Sequence, residues 1–555
     1  MTTSSSAPFN RHDADVIIRS ADAVDFRVHS QILAVASPIF EDMVIVARPE
    51  AFEDTPPGRH IPFVTLVEDG HTLDALLRLC YPIEIADAPW ALEDIPAILD
   101  AALKYIMAGP TAVLVKEPLT FAKARPLQVW SIGCRFGLEK VARAGAEAAL
   151  HFRQLGTYNF AREFVPAEAF LETVRGVSAG HYSRLLEFHR RAGAVPPAFT
   201  LTRPSTQRSD AASLSESSVT AVADDFYASL PYPDIICRAA DGVELPLHKA
   251  LLSMASPIFG RRVQAHRLEE AEQSRATSND TILPVITCTE DGIILSTLLR
   301  FCYPGDHALP HDPLSLLAIL DAAERYQMER IVGVIKMHWN TVIIQNPLSA
   351  YFAAVMSGLD EDARRAARHT LRLELSSSYA PEMEFCQPHA YHRLLNYHER
   401  ARNSAIVVDF TFPWASDAVS VTSKSQTTSP DSHDHARHNR RNARREGAAT
   451  QTTRRPSDPS CARAVNRTWI EERRATFRQM LVRQPGTEFH SDGSLFRSST
   501  GLTLGVKPWC TCCQSIAEDI VRLGKSLPER VASELDKVRN VDSNPFASWV
   551  HLDDW

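Results

Sequence analysis

The stretch Asp15–Phe40 reads DVIIRSADAVDFRVHSQILAVASPIF, and it returns at Asp234–Phe259 as DIICRAADGVELPLHKALLSMASPIF. Thirteen of the 26 positions are identical without a gap. The likeness spreads outward from there. Glu68–Pro82 (EDGHTLDALLRLCYP) matches Glu290–Pro304 (EDGIILSTLLRFCYP) at ten of 15 positions. Ala97–Met107 (AILDAALKYIM) matches Ala318–Met328 (AILDAAERYQM), and Tyr182–Ala192 (YSRLLEFHRRA) matches Tyr391–Ala401 (YHRLLNYHERA). The offset drifts from 219 to 222, then 221, then 209, so small insertions shift the register while element order is kept. A repeated unit of about 180 residues is a duplicated domain rather than a solenoid of short repeats. Two copies of one module also argue against a single catalytic cleft.

With 555 residues, the chain has room for two such modules and a tail. Its composition, 45% hydrophobic and 23% charged, supports large cores. A net charge of −8 gives no overall attraction to nucleic acid or to anionic lipid. No apolar run reaches the 18 residues that a membrane span needs, and the polar start MTTSSSAPFNRHDAD carries no signal core. Ten thinly scattered cysteines do not read as a disulfide framework, so a reducing compartment, cytoplasm or nucleus, is expected.

Within one module, Asp15–Ser20 is short and β-branched and reads as a strand, with Phe26–His29 pairing back as a hairpin. Ser37-Pro38 divides two helices, serine as the cap and proline at the first helical position. Phe63–Val67 reads as a third strand. Leu73, Leu76, Leu77 and Cys80 then form one helical face, and Ile95, Ile98, Leu99, Ala102 and Ile106 form another. Helices follow from Pro126 to Ala149 and from Tyr182 to Arg191. A small sheet first and helices afterwards make an α+β fold, not alternating βαβ units.

These residues carry a family signature. A strand opening on Asp15, then His29, Leu33, Ser37 and Phe40, resembles the BTB/POZ pattern, and the second copy carries it at Asp234, His248, Leu252, Ser256 and Phe259. The later Leu-Leu-Arg-x-Cys-Tyr-Pro and Ala-Ala-x-x-Tyr-x-Met segments look like the middle helices of that fold, and the whole is most similar to the BTB-containing family of mushroom-forming fungi. The resemblance implies a protein–protein interaction module that dimerises or docks partners, in some members as an adaptor for a cullin-type ubiquitin ligase or as part of a transcriptional regulator.

The expected organisation is a flexible N-terminus (1–12), a first BTB/POZ-like domain (13–109) and a helical extension (110–192). A flexible linker (193–229) leads to a second domain (230–330) with its own extension (331–402). A disordered Arg/Ser/Thr-rich linker (415–463) then precedes a helical tail (464–540). In the tail, Trp469, Ile470, Phe477 and Leu481 mark one amphipathic helix, and Ile516 to Val538 mark another that Pro528 is expected to kink or split. The helical pair is expected to fold back on the second module.

Asp15 with His29, and Asp234 with His248, could pass for acid–base dyads. Neither copy sets a nucleophile or glycine-rich loop beside them, so each pair is expected to satisfy its own hydrogen bonds structurally. Cys510, Cys512 and Cys513 lack the second pair of ligands that zinc requires, and packing at a helix start is expected there. No cofactor, metal or catalytic residue is expected. Arg440, Arg441, Arg444, Arg445, Arg454 and Arg455 form a candidate nuclear-import cluster. Partners are expected to be proteins, including BTB pairing within or between chains and a cullin; neither nucleic acid nor membrane is expected. Pairing of the two modules would make the chain a monomer in solution.

Overall fold

The computed structural model describes residues 3–47, 61–83, 90–150, 176–204, 226–227, 229–273, 283–305, 307–408, 467–486 and 511–541. The chain divides into two compact units. One comprises Met1–His338, Val355–Ser357 and Tyr379–His392; the other comprises Trp339–Ala354, Gly358–Ser378 and Arg393–Trp555.

The first unit opens with β1 (Thr3–Ser4), β2 (Val16–Arg19) and β3 (Val24–Val28), and later adds β4 (Phe63–Thr65). The sheet order is β1-β3-β2-β4, with β2 antiparallel to β3 and parallel to β4. Val16 pairs Val28, and Ile18 pairs Phe26. Because side chains alternate along a strand, all four turn to one buried face. Helices cover that face. They are α1 (Ser30–Ala36), α2 (Pro38–Ala47), α3 (Gly70–Cys80) and α4 (Ile95–Lys104). Leu73, Leu76 and Leu77 from α3 and Ile95, Ile98 and Leu99 from α4 are fully buried with Leu33 and Phe40. Each such side chain contributes about 1.5–3 kcal/mol.

The N-terminus departs from expectation. Residues 1–12 were assigned to a flexible arm, but Thr3 and Ser4 pair with β3 and Phe9 is completely buried. The Phe9 ring meets Phe26 and Tyr81 edge-on at 5.9 and 5.2 Å. Arg27 N donates to Phe9 O at 2.8 Å and Ser5 N to Asp25 O at 3.0 Å, so ring packing and backbone bonds together hold the arm.

The extension adds α5 (Ala108–Leu114), a 3-10 turn (Glu117–Phe121), α6 (Pro126–Arg135), α7 (Glu139–Ala149) and α8 (Ala179–Arg190). Helices α6 and α7 touch backbone to backbone. A Cβ on Gly133 would lie 2.2 Å from Ala142 N, so only glycine fits there. Residues 193–204, the head of the expected linker, are pinned instead. The Glu139 carboxylate accepts from Leu201 N and Thr202 N at 2.9 and 3.1 Å, and Arg143 donates to Phe199 O at 2.8 Å.

The second copy repeats the plan with β5 (Ile235–Arg238), β6 (Glu244–Leu247) and β7 (Val285–Thr287), in the order β6-β5-β7. Its helices are α9 (Lys249–Ala255), α10 (Pro257–Gln273), α11 (Gly292–Arg300), α12 (Pro313–Arg325) and α13 (Glu329–Gln345). Equivalent side chains do equivalent work. Arg19 forks onto Asp25 across the first hairpin, and Arg238 onto Glu244 across the second.

The other unit holds α14 (Pro347–Met356), α15 (Asp360–Thr370), most of α16 (Pro388–Ile406), α17 (Arg467–Arg483) and α18 (Thr511–Val541). Gly486, just beyond α17, donates to Leu371 O at 3.0 Å, which ties the tail to the second copy's extension. Of the kink or split expected at Pro528, the split does not occur: α18 continues through the proline.

Candidate interaction site

The signature residues build the support of each domain rather than a reactive centre. The expectation that Asp15 meets His29 fails. The Asp15 carboxylate instead accepts from Ser30 N at 2.7 Å and Ser30 Oγ at 2.5 Å, anchoring the first turn of α1. Burial works against its charge, but these bonds outweigh it and hold the carboxyl below its usual range. His29 turns the other way. Tyr81 OH accepts from His29 N at 2.8 Å and lies 3.0 Å from Nδ1. The second copy matches: Asp234 accepts from Lys249 N at 2.6 Å, and His248 Nδ1 lies 2.9 Å from Tyr303 OH. Burial raises the Tyr81 phenol and lifts that of Tyr303 to about 12, so both stay protonated as donors.

Ser37 caps α2 as expected, accepting from Phe40 N at 3.1 Å, and its hydroxyl also donates to Tyr105 O at 2.5 Å. Ser256 does the same for Phe259 N and Tyr326 O at 3.1 and 2.5 Å. Phe40 stacks on Tyr105 at 4.6 Å and Phe259 on Tyr326 at 4.4 Å. Each tyrosine hydroxyl reaches a glutamate at 2.6 Å, Glu68 or Glu290, and each glutamate takes a cation at 2.7 Å, Lys104 or Arg325. Burial, then the glutamate, pushes both phenols upward. Leu33 and Leu252 are fully buried beneath. The tyrosines and glutamates were not singled out from the sequence, although both recur in the matched segments; a polar residue repeated in both copies was the available signal.

The two copies meet through α8 and residues 379–392. Arg184 forks onto Glu384 at 2.5 and 3.0 Å, its side chain 8% exposed and that of Glu384 18%. Tyr379 OH donates to the same carboxylate at 3.2 Å, and Arg184 Nε donates to Leu201 O at 3.0 Å. Ala179 N donates to Cys386 O at 2.7 Å. Tyr182 meets Tyr391 edge-on at 5.9 Å and 82°. Ser178 caps α8 beside them, accepting from His181 N at 3.2 Å, and burial with the Arg184 charge lowers the affinity of His181 for a proton. Sequence reasoning found α8 but not this joint.

Outward, α1 and α9 carry exposed apolar side chains at the same repeat position, Val35 at 91% and Met254 at 84%. Cys80 and Cys302 are largely enclosed, and burial lifts both thiols to about 12, far from reactive. Among the described residues no group of three or more His, Cys, Asp or Glu side chains is placed to hold a metal ion. Arg440, Arg441, Arg444, Arg445, Arg454, Arg455 and Cys510 lie outside the described residues, as do the side chains of Cys512 and Cys513.

A protein-family model for the BTB/POZ domain matches residues 7–118 and again 224–341. The chain carries two BTB/POZ domains in tandem. The first match begins inside the N-terminal arm, in keeping with the burial of Phe9 in the first BTB/POZ core. The BTB/POZ domain is a protein-interaction module and not an enzymatic family. No curated protein matches the chain.

Proposed function

We propose that this protein is a non-enzymatic docking scaffold whose two BTB/POZ domains each present their first helix to a partner protein. The observation that carries this reading is the matched exposure of Val35 and Met254, with Ile45 and Val46 also exposed on α2. A lone exposed apolar side chain is ordinary, but one recurring at the same position of two diverged copies is a surface feature of the domain. A cytoplasmic or nuclear location accompanies this role; among the described residues no helix is long and apolar enough to cross a membrane.

The test is affinity capture with the intact chain and with the Val35→Asp/Met254→Asp variant. The variant is expected to lose the captured proteins while its unfolding free energy changes by no more than about 0.5 kcal/mol. An unchanged set of captured proteins would refute the reading. Two narrower roles separate further, one in the captured proteins and one in the location of a tagged chain. A cullin among the captured proteins supports a ubiquitin-ligase adaptor. Loss of nuclear signal on deleting residues 437–455 supports a transcriptional co-regulator.

A further inference from the structure

We infer that helices α7 and α8 build a peptide-recognition site. It takes a partner's segment reading aromatic, any residue, leucine, threonine, and residues 199–202 of this chain are the ligand that fills it in cis. The site lies on the first copy's extension, and its case does not rest on the docking role of α1 and α9.

The segment Phe199-Thr200-Leu201-Thr202 is gripped chiefly by its main chain. Glu139, the first residue of α7, accepts from Leu201 N and Thr202 N at 2.9 and 3.1 Å. Arg143, one turn on, donates to Phe199 O at 2.8 Å. From α8, Arg184 Nε donates to Leu201 O at 3.0 Å. Ser178 N donates to His181 Nδ1 at 3.2 Å, so His181 Nε2 carries the proton and donates to Thr202 O at 3.1 Å. Any peptide offers such N–H and C=O groups, so they give grip without choosing a sequence. The side chains choose it. Leu201 is fully buried, the Phe199 ring stacks on Phe188 at 6.5 Å, and Thr202 Oγ1 donates to the Glu139 carboxylate at 3.0 Å. The Thr200 hydroxyl bonds within the segment instead, to Arg203 O at 2.8 Å, which leaves its position open to other residues.

The grip is local. Pro196, Pro197 and Ala198 before the segment are exposed, and so is Arg203 after it. A short stretch with exposed flanks, one buried anchor and polar clamps on its main chain is held as a bound ligand is held. Its departure would leave a leucine-sized apolar hole rimmed by Glu139, Arg143, His181 and Arg184. Water satisfies the rim but not the hole, and an apolar side chain satisfies the hole but not the rim. A second peptide of the same pattern satisfies both. Because residues 199–202 are tethered to the site, their effective concentration there is on the order of millimolar, so a partner segment enters by outcompeting them.

The test follows a fluorescein-labelled peptide of residues 196–204 binding to the full chain, by fluorescence anisotropy. Leu201→Ala in the chain weakens the built-in competitor and leaves the four clamping side chains in place. That variant is expected to bind the peptide at least about tenfold more tightly than the parent. Adding Glu139→Ala is expected to reverse the gain by about tenfold or more. A peptide carrying Leu201→Asp is expected not to bind, and one carrying Thr200→Ala to bind like the original. Hydrogen exchange on the unaltered parent gives a readout that no variant can confuse with misfolding. Excess peptide is expected to strip protection from the Leu201 and Thr202 amides while the amides of α7 keep theirs. The inference is overturned if excess peptide leaves those two amides protected, or if the Leu201→Asp peptide binds as well as the original. It is also overturned if the Leu201→Ala chain, with α7 still protected, binds no more tightly than the parent.

Discussion

At the scale of single residues, the duplication provides its own controls. The hairpin turn between the first two strands of each module needs a left-handed residue. The first copy uses Ala23 at φ 62° and the second uses Gly242 at φ 88°, one repeat offset apart. A side chain in that conformation costs about 1–2 kcal/mol, partly offset by the greater freedom glycine loses on folding. Ala23→Gly is therefore expected to stabilise the chain by up to about 1 kcal/mol, and Gly242→Ala to destabilise it by about 1 kcal/mol, in urea titrations. A Cβ on Gly242 would touch nothing within 4 Å, so strain alone is measured. The signature serines were legible because a Ser-Pro pair at a helix start has one physical reading. The partner of His29 was not, because it depends on Tyr81, 52 residues away, and no local rule specifies which of two nearby polar groups a histidine will face.

At the scale of elements, periodicity located the strands and helices of both modules well, and it failed where one side chain decides. Phe9 turned an apparent arm into part of the core, and Glu139 turned the head of a linker into fixed structure. Neither effect has a periodic signal. The helical unit carries a pH dependence of its own. His398 on α16 is 4% exposed, with Nε2 at 2.9 Å from Thr370 Oγ1. Burial, then the Arg402 charge, lowers its pKa to about 3 from an ordinary value of 6.5. The folded-state value is the lower one, so the unfolded chain takes the proton first. Stability is complete above about pH 6.5 and falls as pH drops towards 3, by up to about 1.4 kcal/mol per pH unit. Urea unfolding between pH 7 and pH 5 is expected to show this slope, and His398→Gln is expected to flatten it. An unchanged slope in the variant would place the dependence elsewhere.

At the scale of the whole molecule, the repeat made the two-domain plan legible before any coordinate, since a pattern seen twice is its own confirmation. The joint was illegible for the opposite reason. It depends on Arg184 reaching Glu384, 200 residues further along the chain, and a lone ion pair carries no signal until space brings its two halves together. The most direct measurement is light scattering of the intact chain across a wide range of concentrations. The account predicts a single mass of 61.7 kDa throughout, and a mass that rises to twice that value with concentration would contradict it.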